Sequence, residues 1–541
     1  LAVAPFVSSY HQLDIYVDRI LWSEDESELY FRWHEGSSEE QRYAKFESRT
    51  YFNGQQYDML GGNASLHPLV SLNRYVEKNG SLMLTEGQAA TALGGLVEQV
   101  KSLLLDLAGG GFIAYDLEQK TVRVLPKTEQ FVKAKANKVD FDNIIFECEL
   151  RPQKIEGKTQ QEIDSDPRLK RIQERYEKDN KANKAIKEFA KMDLKSMDLN
   201  INACRVVPIS DIRNTQVFPT DRSVLVQGNR NFVFSGWINV GKMELQASSA
   251  LFDYKMFEIQ VGNSDKAFLS IAPLKPEDGK RAITSQSYIS GIKGDIKVDH
   301  PSNRSGAKFK TFGDYPKLIT KTASRVFYND NSIQRGAYDS TRFYFEIEPF
   351  ELDSLVNFNE KEMRLAGTMN TGGIFPNFKQ EIKVMPDYSF GFSMEAPDDG
   401  FAFYGSESRY NNKILLSNNG LQGMGTIEYV TSIAESIGLL TFMPDSTIGN
   451  AKFTTNPRED GVPMPDVNAD EAFITYVPKN DLLKARSTRK PMSFFEDEAK
   501  FVGTVYVKPD GFKGSGRFNM PTATLASANY TATRWQIVAD T

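Results

Sequence analysis

The 541-residue chain is poor in the residues that build disulfide scaffolds and metal sites. It holds two cysteines, Cys148 and Cys204, and four histidines. Two cysteines are too few for a disulfide-rich scaffold or a Cys-rich zinc site. Each lies in a strand-like run without a catalytic signature beside it. We therefore expect two buried free thiols, with a single disulfide bridge as the alternative.

Long apolar runs and a strong excess of one charge are also lacking. No stretch of about 18 apolar residues occurs, so the chain is predicted to contain no transmembrane segment. The net charge of −6 is mild for this length. A whole-chain basic field that would attract nucleic acid or anionic lipid is therefore excluded, and any such partner would need a local patch.

The ends of the chain lack the features of natural termini. The sequence starts at Leu1 instead of Met, shows no signal-peptide pattern, and stops at Thr541 inside a strand-like pattern. We expect both ends to be cut, with the last β region truncated at its C-terminus.

The composition is that of an ordinary globular protein, with 40% hydrophobic and 25% charged residues. The length favours three or four domains. The predicted fold class is mainly β with a small α+β winged-helix-like module and repeated β units, as stacked sheets, a sandwich or a solenoid. The predicted segments are a β segment at 1–60 that ends a preceding domain, the winged-helix-like module at 62–128, a strand with a charged helical insertion at 129–215, a β-rich region at 216–400, and a β repeat region at 401–541.

The module at 62–128 is marked by a change of hydrophobic period from two to between three and four. Helix, short strand, helix, helix and hairpin follow one another, which is the order of a winged helix. Proline at the start and glycine after the end delimit these helices. The predicted boundaries are Pro68 to Asn79-Gly80, Thr85-Glu86 to Gly94-Gly95, and Leu96 to about Leu107, followed by strands at 112–116 and 121–124. The inner side of the third helix is predicted to hold Leu96, Val97, Val100, Leu103, Leu104 and Leu107.

The third helix of a winged helix can enter the DNA major groove, but its outer residues argue against that role here. They are acidic on balance and would be repelled by phosphate. The module is therefore predicted to have a packing or protein-contact role and not to bind DNA. The outer residues are Glu98, Gln99, Lys101, Ser102 and Asp106.

Residues 151–198 interleave charges of both signs, which favours a solvated helical insertion with i,i+4 ion pairs. A helix that docks on another protein is the alternative, because a thin apolar stripe is present. That stripe would consist of Leu169, Ile172, Tyr176, Ile186 and Phe189.

An internal similarity marks the C-terminal β region. Seven positions recur with one offset of 91 residues. The pairs are Gly420 and Gly511, Gly423 and Gly514, Gly425 and Gly516, Ile427 and Phe518, Ser436 and Ser527, Ile414 and Val505, and Leu416 and Val507. We expect these glycines to serve a tight turn and a strand packed closely on another backbone. A phosphate-binding role would need a helix after the glycines, and a strand-like run follows instead.

Motifs that carry chemistry are weak throughout the chain, and no catalytic, cofactor-binding or metal-binding residue is predicted. Gly157-Lys158-Thr159 lacks the earlier glycine of a phosphate loop. Asp466, Asn468 and Asp470 begin like a calcium loop but lack its glycine and its final acid. Asp398 and Asp399 fit a solvated turn. His11, His34, His67 and His300 are scattered, without metal-ligand spacing.

Several phrases of the sequence resemble those of very large, β-rich cell-envelope proteins of Bacteroidota, a group without an assigned activity. The phrases are Ser9-Tyr10-His11, Lys45 to Arg49, Gly111 to Asp116, Gly228 to Gly236 and Gly373 to Pro376. The resemblance spans most of the chain and implies a cell-envelope setting, in the periplasm or at the outer membrane. The phrases are not functional motifs, so no site residue is implied.

Three functions remain open on these grounds. The leading hypothesis is a non-enzymatic structural or assembly component of the envelope, with other envelope proteins as partners and the winged-helix-like module as interaction element. The second is a β-sheet groove that binds or conveys lipid, and the third is a carbohydrate-active or carbohydrate-binding surface protein. The sequence leaves open whether the chain is an enzyme and favours that it is not.

Overall fold

The computed structural model describes residues 2–62, 66–152, 154–155, 157–165, 167–273, 282–457 and 462–540. The chain divides into two compact units, each made of several segments. Unit 1 comprises Leu1–Ala267, Ile292–Lys321 and Glu351–Phe358, and unit 2 comprises Phe268–Gly291, Thr322–Phe350 and Asn359–Thr541. The finer division expected from the sequence, with boundaries near 60, 128, 215 and 400, stays a prediction.

The N-terminal part of unit 1 combines helices with small antiparallel sheets. Its elements are β1 (Ala2–Val3), β2 (Phe6–Ser8), β3 (Leu13–Tyr16), β4 (Arg19–Trp22), β5 (Glu28–Arg32), β6 (Tyr43–Ser48), α1 (Gly54–Gly61), α2 (Pro68–Asn79), β7 (Met83–Thr85), α3 (Glu86–Ala92), α4 (Val97–Gly109), β8 (Ile113–Asp116), β9 (Thr121–Val124), α5 (Pro126–Lys135) and β10 (Ile145–Glu149). One sheet has the strand order β1-β8-β9-β7, and another has the order β10-β6-β3-β2.

The middle of the chain continues in longer strands. Its elements are α6 (Gln160–Ser165), α7 (Pro167–Asn183), β11 (Ala190–Asp193), β12 (Leu199–Ile201), β13 (Val207–Ser210), β14 (Thr215–Pro219), β15 (Val224–Val226), β16 (Phe232–Val240), β17 (Met243–Asp253), β18 (Glu258–Ile271), β19 (Ile283–Thr284), β20 (Ile289–Ser290), β21 (Ile292–Lys297), β22 (Lys317–Thr320), β23 (Ser324–Phe327), β24 (Phe343–Ile347), β25 (Glu351–Leu352), β26 (Leu365–Thr371) and β27 (Phe378–Val384). In unit 1, β5 pairs with β11, β11 with β12, β12 with β15, β15 with β16, and β16 with β17, all antiparallel.

The C-terminal part of unit 2 is an antiparallel succession of strands. These are β28 (Phe390–Glu395), β29 (Phe401–Ala402), β30 (Arg409–Ser417), β31 (Gly420–Tyr429), β32 (Ser432–Ser436), β33 (Leu440–Met443), β34 (Ser446–Thr455), β35 (Val467–Val477), β36 (Leu482–Ser487), β37 (Met492–Phe494), β38 (Ala499–Lys508), β39 (Gly511–Asn519), β40 (Thr524–Ala532) and β41 (Ile537–Asp540).

The predicted mainly β fold class is confirmed, with 45% of the chain in strands and 15% in helices. Alternation of apolar and polar residues builds these strands. In β24, Phe343, Phe345 and Ile347 are buried, while Tyr344 and Glu346 between them are partly exposed. One face of the strand therefore fills a core and the other meets water.

The helical module (residues 54–135) begins and ends its helices at residues that local rules identify. Pro68 is the first residue of α2, and Gly80 follows its end in the left-handed conformation, at a φ of 68°. Thr85 caps α3 in a capping box with Gln88. The module closes on its own core, whose fully buried members include Leu69, Leu72, Ala89, Leu104, Leu107, Phe112, Val122 and Phe131.

Three details of the module differ from the sequence prediction. Leu96, expected on the inner side of the third helix, precedes α4 and is 67% exposed. The segment 1–60, expected to be β, contains helix α1, in which Tyr57 is the buried residue. Helix α5 occupies positions that were expected to be strand or insertion. Helix α1 buries Tyr57, and the buried positions of α5 include the polar residues Lys127 and Thr128, so neither segment shows a clear apolar helical period.

The charged segment forms two helices, α6 and α7, but the predicted apolar stripe is not one helix face. Helix α7 ends at Asn183, so Ile186 and Phe189 lie beyond it. Phe189 is fully buried against Trp33, with ring centroids 5.2 Å apart. The side chain of Ile172 lies outside the described residues. Phe189 is therefore a core residue of unit 1 and is not free to contact a partner.

Strands β28–β31 and β36–β39 pair in the same register when 91 is added to every residue number. Ile414 lies opposite Gly423 and Ser417 opposite Gly420, while Val505 lies opposite Gly514 and Lys508 opposite Gly511. The flanking strands agree as well, since Leu416 pairs with Phe392 and Val507 with Leu483. On the next strand the registers differ by one residue up to Gly514 and agree again after the shift in β39, where Arg517 pairs with Ala526 as Thr426 pairs with Glu435.

Two glycines in the first of these hairpins have the roles expected from the sequence. Gly420 adopts a φ of 89°, which favours glycine, at the turn between β30 and β31. A Cβ atom on Gly425 would collide with the carbonyl oxygen of Asn411 on the neighbouring strand. The turn and the close strand packing therefore each depend on a missing side chain.

Candidate functional site

The four histidines are each engaged in local structure. His11 is fully buried, with Nδ1 2.8 Å from Ser8 Oγ and Nε2 2.7 Å from the carbonyl oxygen of Met197. His34, His67 and His300 contact residues of their own segments. In the part of the chain that the structure describes, no group of three or more His, Cys, Asp or Glu side chains could hold a metal ion.

The weak motifs found in the sequence also serve local structure. Thr159 stands before α6, and its backbone N–H donates to Glu162 Oε2 at 2.8 Å. Asn468 and Asp470 lie on strand β35 and not in an ion-binding loop. Asp398 and Asp399 lie in a turn that is closed by a hydrogen bond from Gly400 N–H to the Pro397 carbonyl, 2.7 Å long.

A buried cluster of charged side chains joins the helical module to sheet β10-β6-β3-β2 in unit 1. We call it the Lys127 cluster; its members are Asp14 and Tyr16 on β3, Lys45 and Glu47 on β6, and Lys127 on α5. Lys127 is 6% exposed and Glu47 is 1% exposed. Charged side chains are seldom buried so deeply unless they are paired. These residues are therefore the strongest candidate for a functional site.

Lys127 lies at the centre of this cluster. Its Nζ donates to Glu47 Oε1, to the carbonyl oxygen of Gly110 at 2.9 Å, and to Tyr16 Oη at 3.1 Å. On the other side, Lys45 Nζ lies 3.1 Å from Glu47 Oε2 and 4.0 Å from the centroid of the Tyr16 ring. The carboxylate of Glu47 thus bridges two ammonium groups from different elements.

Burial shifts the pKa values of three members of the cluster. It lowers the pKa of the Lys127 ammonium, and the charge of Glu47 opposes that shift. It raises the pKa of the Asp14 carboxyl, against the charges of Lys127 and Arg49. It also raises the pKa of the Tyr16 phenol. Removal of these groups from water is the main cause in each case.

A cavity of about 300 Å³ adjoins the cluster. Its charged lining residues are Asp14, Arg49, Arg123, Lys127, Glu129 and Lys133. A buried lysine with a lowered pKa beside a cavity is a common feature of active sites, because a neutral amine is a nucleophile.

The hydrogen bonds of Lys127 argue for a structural role. A lysine ammonium has three N–H donors, and here the three face Glu47, Gly110 and Tyr16. An ammonium group that donates all three hydrogens in this way has no lone pair for attack. The cluster therefore fastens α5 and the end of α4 to strands β3 and β6.

A second buried network in unit 1 surrounds Asp142. The carboxylate accepts hydrogen bonds from Ser48 Oγ at 2.8 Å, Thr50 Oγ1 at 2.7 Å and Tyr254 Oη at 2.9 Å. Arg230 Nη1 lies 3.6 Å from the same carboxylate. Its partners come from distant segments, so this acid ties β6 to the loops near 230 and 254.

Unit 2 contains two larger open cavities. One, of about 930 Å³, is lined by Glu407, Glu428, Tyr429 and Asp481 among other polar groups. The hydroxyl of Tyr429 donates to the Asp481 carbonyl at 2.6 Å, so this tyrosine and this acid are engaged with each other. The other, of about 570 Å³, is lined by residues of β38, β39 and β40.

Sequence reasoning missed the Lys127 cluster because its members are far apart in the chain. Asp14 and Tyr16 alternate with apolar residues, which predicts that they lie on a solvent-exposed face of β3. The structure buries Asp14 to 9% exposure, because the helical module covers that face. Two features of the sequence could have indicated the cluster. Lys45, Glu47 and Arg49 alternate along one strand, and Lys127 lies near the start of a helix.

No family model, curated protein or solved structure matches the chain. Among the residues that the structure describes, no helix has both the length and the apolar character needed to cross a membrane.

Proposed function

We propose that the chain is a non-enzymatic structural or assembly component of a bacterial cell envelope, with the helical module as its interaction element. The observation that carries the proposal is that the apolar side chains of the strands are buried in the core. Ile414, Leu416, Val505 and Val507 are fully buried. Side chains enclosed in this way stabilise the fold and offer no surface to a ligand.

The aromatic residues of unit 2 support the same proposal. Phe494, Phe501, Phe518 and Tyr530 pack on one another, with ring centroids 4.5 Å apart for Phe501 and Phe518 and 5.1 Å apart for Phe518 and Tyr530. Rings at such distances form a closed core.

Lipid conveyance, the second hypothesis, would need a continuous apolar channel. The 570 Å³ cavity places Lys508, Asp510 and Lys513 around Phe512. Charged groups in this lining are unfavourable for an acyl chain. The wall of this cavity therefore favours the structural role.

Carbohydrate binding, the third hypothesis, would need an exposed aromatic face beside acids. The 930 Å³ cavity has the acids Glu407, Glu428 and Asp481. Its aromatic residue, Tyr429, is 3% exposed. That ring has no face available for stacking on a sugar, so this cavity supports the first hypothesis as well.

The helical module exposes apolar side chains that its own core does not use. Leu82 is 54% exposed, Met83 52%, Leu96 67%, Leu105 40% and Leu117 44%. Such side chains, when they cluster, mark surfaces that contact other proteins. Helix α4 also exposes Glu98 and Asp106, which disfavours a nucleic-acid partner.

Strand β7, at the edge of its sheet, is protected against addition of a further strand. Ser81 Oγ lies 3.2 Å from the backbone N–H of Met83 and 2.8 Å from its carbonyl oxygen. The side chain of Gln88 accepts from the backbone N–H of Thr85 at 2.8 Å. The backbone groups at this edge are thus satisfied locally, so we infer that a partner protein contacts the exposed side chains of the module.

Photo-crosslinking in the producing cell tests this proposal. A photoreactive residue replaces Met83 in one variant and Leu439, which is 45% exposed in unit 2, in the control. We expect position 83 to form an adduct with one envelope protein, because an apolar contact is buried there on binding, and position 439 to form none. Adducts with phospholipid, or none at position 83, would contradict the proposal.

A further inference from the structure

The two cysteines of the chain lie directly opposite each other. Cys148 is on β10, and Cys204 lies between β12 and β13, where the two residues form an antiparallel bridge. Both are thiols in the structure and both are fully buried. The chain has no other cysteine, so each is the sole thiol partner of the other.

The backbone hydrogen bonds identify the type of pairing. Glu149 N–H, one residue after Cys148, donates to the carbonyl oxygen of Ala203, one residue before Cys204, at 3.4 Å. This pattern makes Cys148 and Cys204 a non-hydrogen-bonded antiparallel pair, and in pairs of this type the Cα atoms are typically about 4.5 Å apart. Disulfides span Cα separations of about 4.4–6.8 Å.

We propose that Cys148 and Cys204 form an intramolecular cross-strand disulfide when the chain folds in the presence of a disulfide oxidant. The pairing already holds the two residues at a separation that the bond accepts, so no strand has to move. Two thiols lose two electrons and two protons as the S–S bond forms. An external disulfide, such as oxidised glutathione, takes them up and is cleaved to two thiols.

Other roles for these cysteines fit the structure less well. A catalytic cysteine needs an accessible thiolate, whereas burial raises the pKa of both thiols and both are closed to solvent. A metal site needs further ligands, and the described residues offer no group of three or more candidate ligands. A disulfide is the chemistry left to two thiols that face each other.

The surroundings indicate what the bond would stabilise. Arg222 Nη2 donates to the carbonyl oxygens of Glu149 at 2.9 Å and Ala203 at 3.1 Å, so it bridges the same two strands. Asn183, the last residue of α7, donates to the Leu150 carbonyl at 3.3 Å. The disulfide would close a loop that contains α6 and α7 and would fix both ends of that charged segment on the body of unit 1.

Burial also sets when the bond can form. An oxidant cannot reach two fully buried thiols in the folded chain, so oxidation precedes or accompanies the pairing of these strands. The same burial then protects the finished bond from reductants. Reduction should therefore need unfolding.

Intact-mass measurement of the full chain tests the proposal. The chain is refolded with oxidised and reduced glutathione, unfolded in denaturant with an alkylating agent, and weighed. We expect no alkyl group to be added and a mass two hydrogens below that of the dithiol form, with two alkyl groups added after reduction in denaturant. The control Cys204→Ser should take up one alkyl group, or carry one glutathione, without reduction.

Thermal unfolding provides a second readout on the same samples. The oxidised chain should unfold roughly 5–10 °C above its reduced form, because the bond restricts the unfolded state. The variant Cys148→Ser should show no such difference. Two alkylated thiols in the refolded chain, a disulfide-linked dimer, or glutathione on both cysteines would overturn the proposal.

Discussion

Replacing Lys127 with methionine is expected to lower the free energy of unfolding of unit 1 by about 3 kcal/mol. The change leaves the Glu47 carboxylate, 1% exposed, without its nearest cation. It also removes the donor that faces the Gly110 carbonyl and Tyr16. Removal of one partner of a buried pair costs about 3–5 kcal/mol, and we expect the lower end because Lys45 still faces Glu47. Urea unfolding followed by circular dichroism measures the loss.

Two further variants separate the buried pair from a general effect of lost charge. In Lys127→Met with Glu47→Gln, the buried side chain that lost Lys127 is itself neutral, so part of the stability should return. The matched control is Arg19→Met, whose ion pair with Glu35 is solvent-exposed at 3.4 Å. That change should cost less than about 1 kcal/mol. Equal losses in Lys127→Met and Arg19→Met would contradict the role given to the cluster.

A rise in pH above about 10 is expected to unfold unit 2, because burial raises the pKa of several tyrosines. Tyr328, Tyr338, Tyr410 and Tyr429 are each at most 3% exposed. Burial raises the pKa of Tyr338 to about 12 and raises that of the other three as well. Their phenols therefore stay protonated in the folded state under conditions in which exposed phenols ionise.

The sign of this effect follows from proton binding in the two states. Below pH 10 the phenols are protonated in both states and contribute nothing. Above pH 10 the unfolded phenols ionise first, so the unfolded chain is stabilised by about 1.4 kcal/mol per tyrosine for each pH unit. At about pH 11 four tyrosines together remove about 5 kcal/mol, which is comparable to the whole stability of a small domain.

Tyrosinate absorbance and near-ultraviolet circular dichroism, recorded on one titration, measure this transition. The four buried phenols should ionise together with unfolding, so their absorbance change should coincide with the loss of near-ultraviolet dichroism. In Tyr410→Phe, the free energy of unfolding should fall less steeply above pH 10, by the contribution of one tyrosine, about 1.4 kcal/mol per pH unit. If all tyrosines ionised near pH 10 while the dichroism stayed unchanged, the buried aromatic cores would not exist as described.

The elements that could be predicted from the sequence are those with local signals. Pro68 and Gly80 bound α2, and Thr85 caps α3, because a missing N–H, a left-handed conformation and a hydroxyl acceptor act within a few residues. Leu96 shows the limit of such signals. Its place in an apolar pattern predicted burial, but it precedes α4, where the helical period does not yet apply.

The Lys127 cluster could not be predicted, because burial of a strand's second face depends on which element covers it. Asp14 and Glu47 have the sequence neighbours of residues on a wet strand face. That face is buried because α5 packs on it, and α5 has too few apolar residues at helical spacing to be recognised in the sequence. The pairing of Cys148 with Cys204 is hidden for the same reason, since residues far apart in sequence meet through strand pairing.

The proposed function depends on the enclosure of the apolar strand faces in closed cores, and it predicts that the chain retains no ligand. Native mass spectrometry of the chain purified from its own cell tests it most directly. The account predicts the mass of the polypeptide alone, with no small molecule retained under gentle conditions. Recovery of phospholipid or of a sugar in a one-to-one ratio would contradict it.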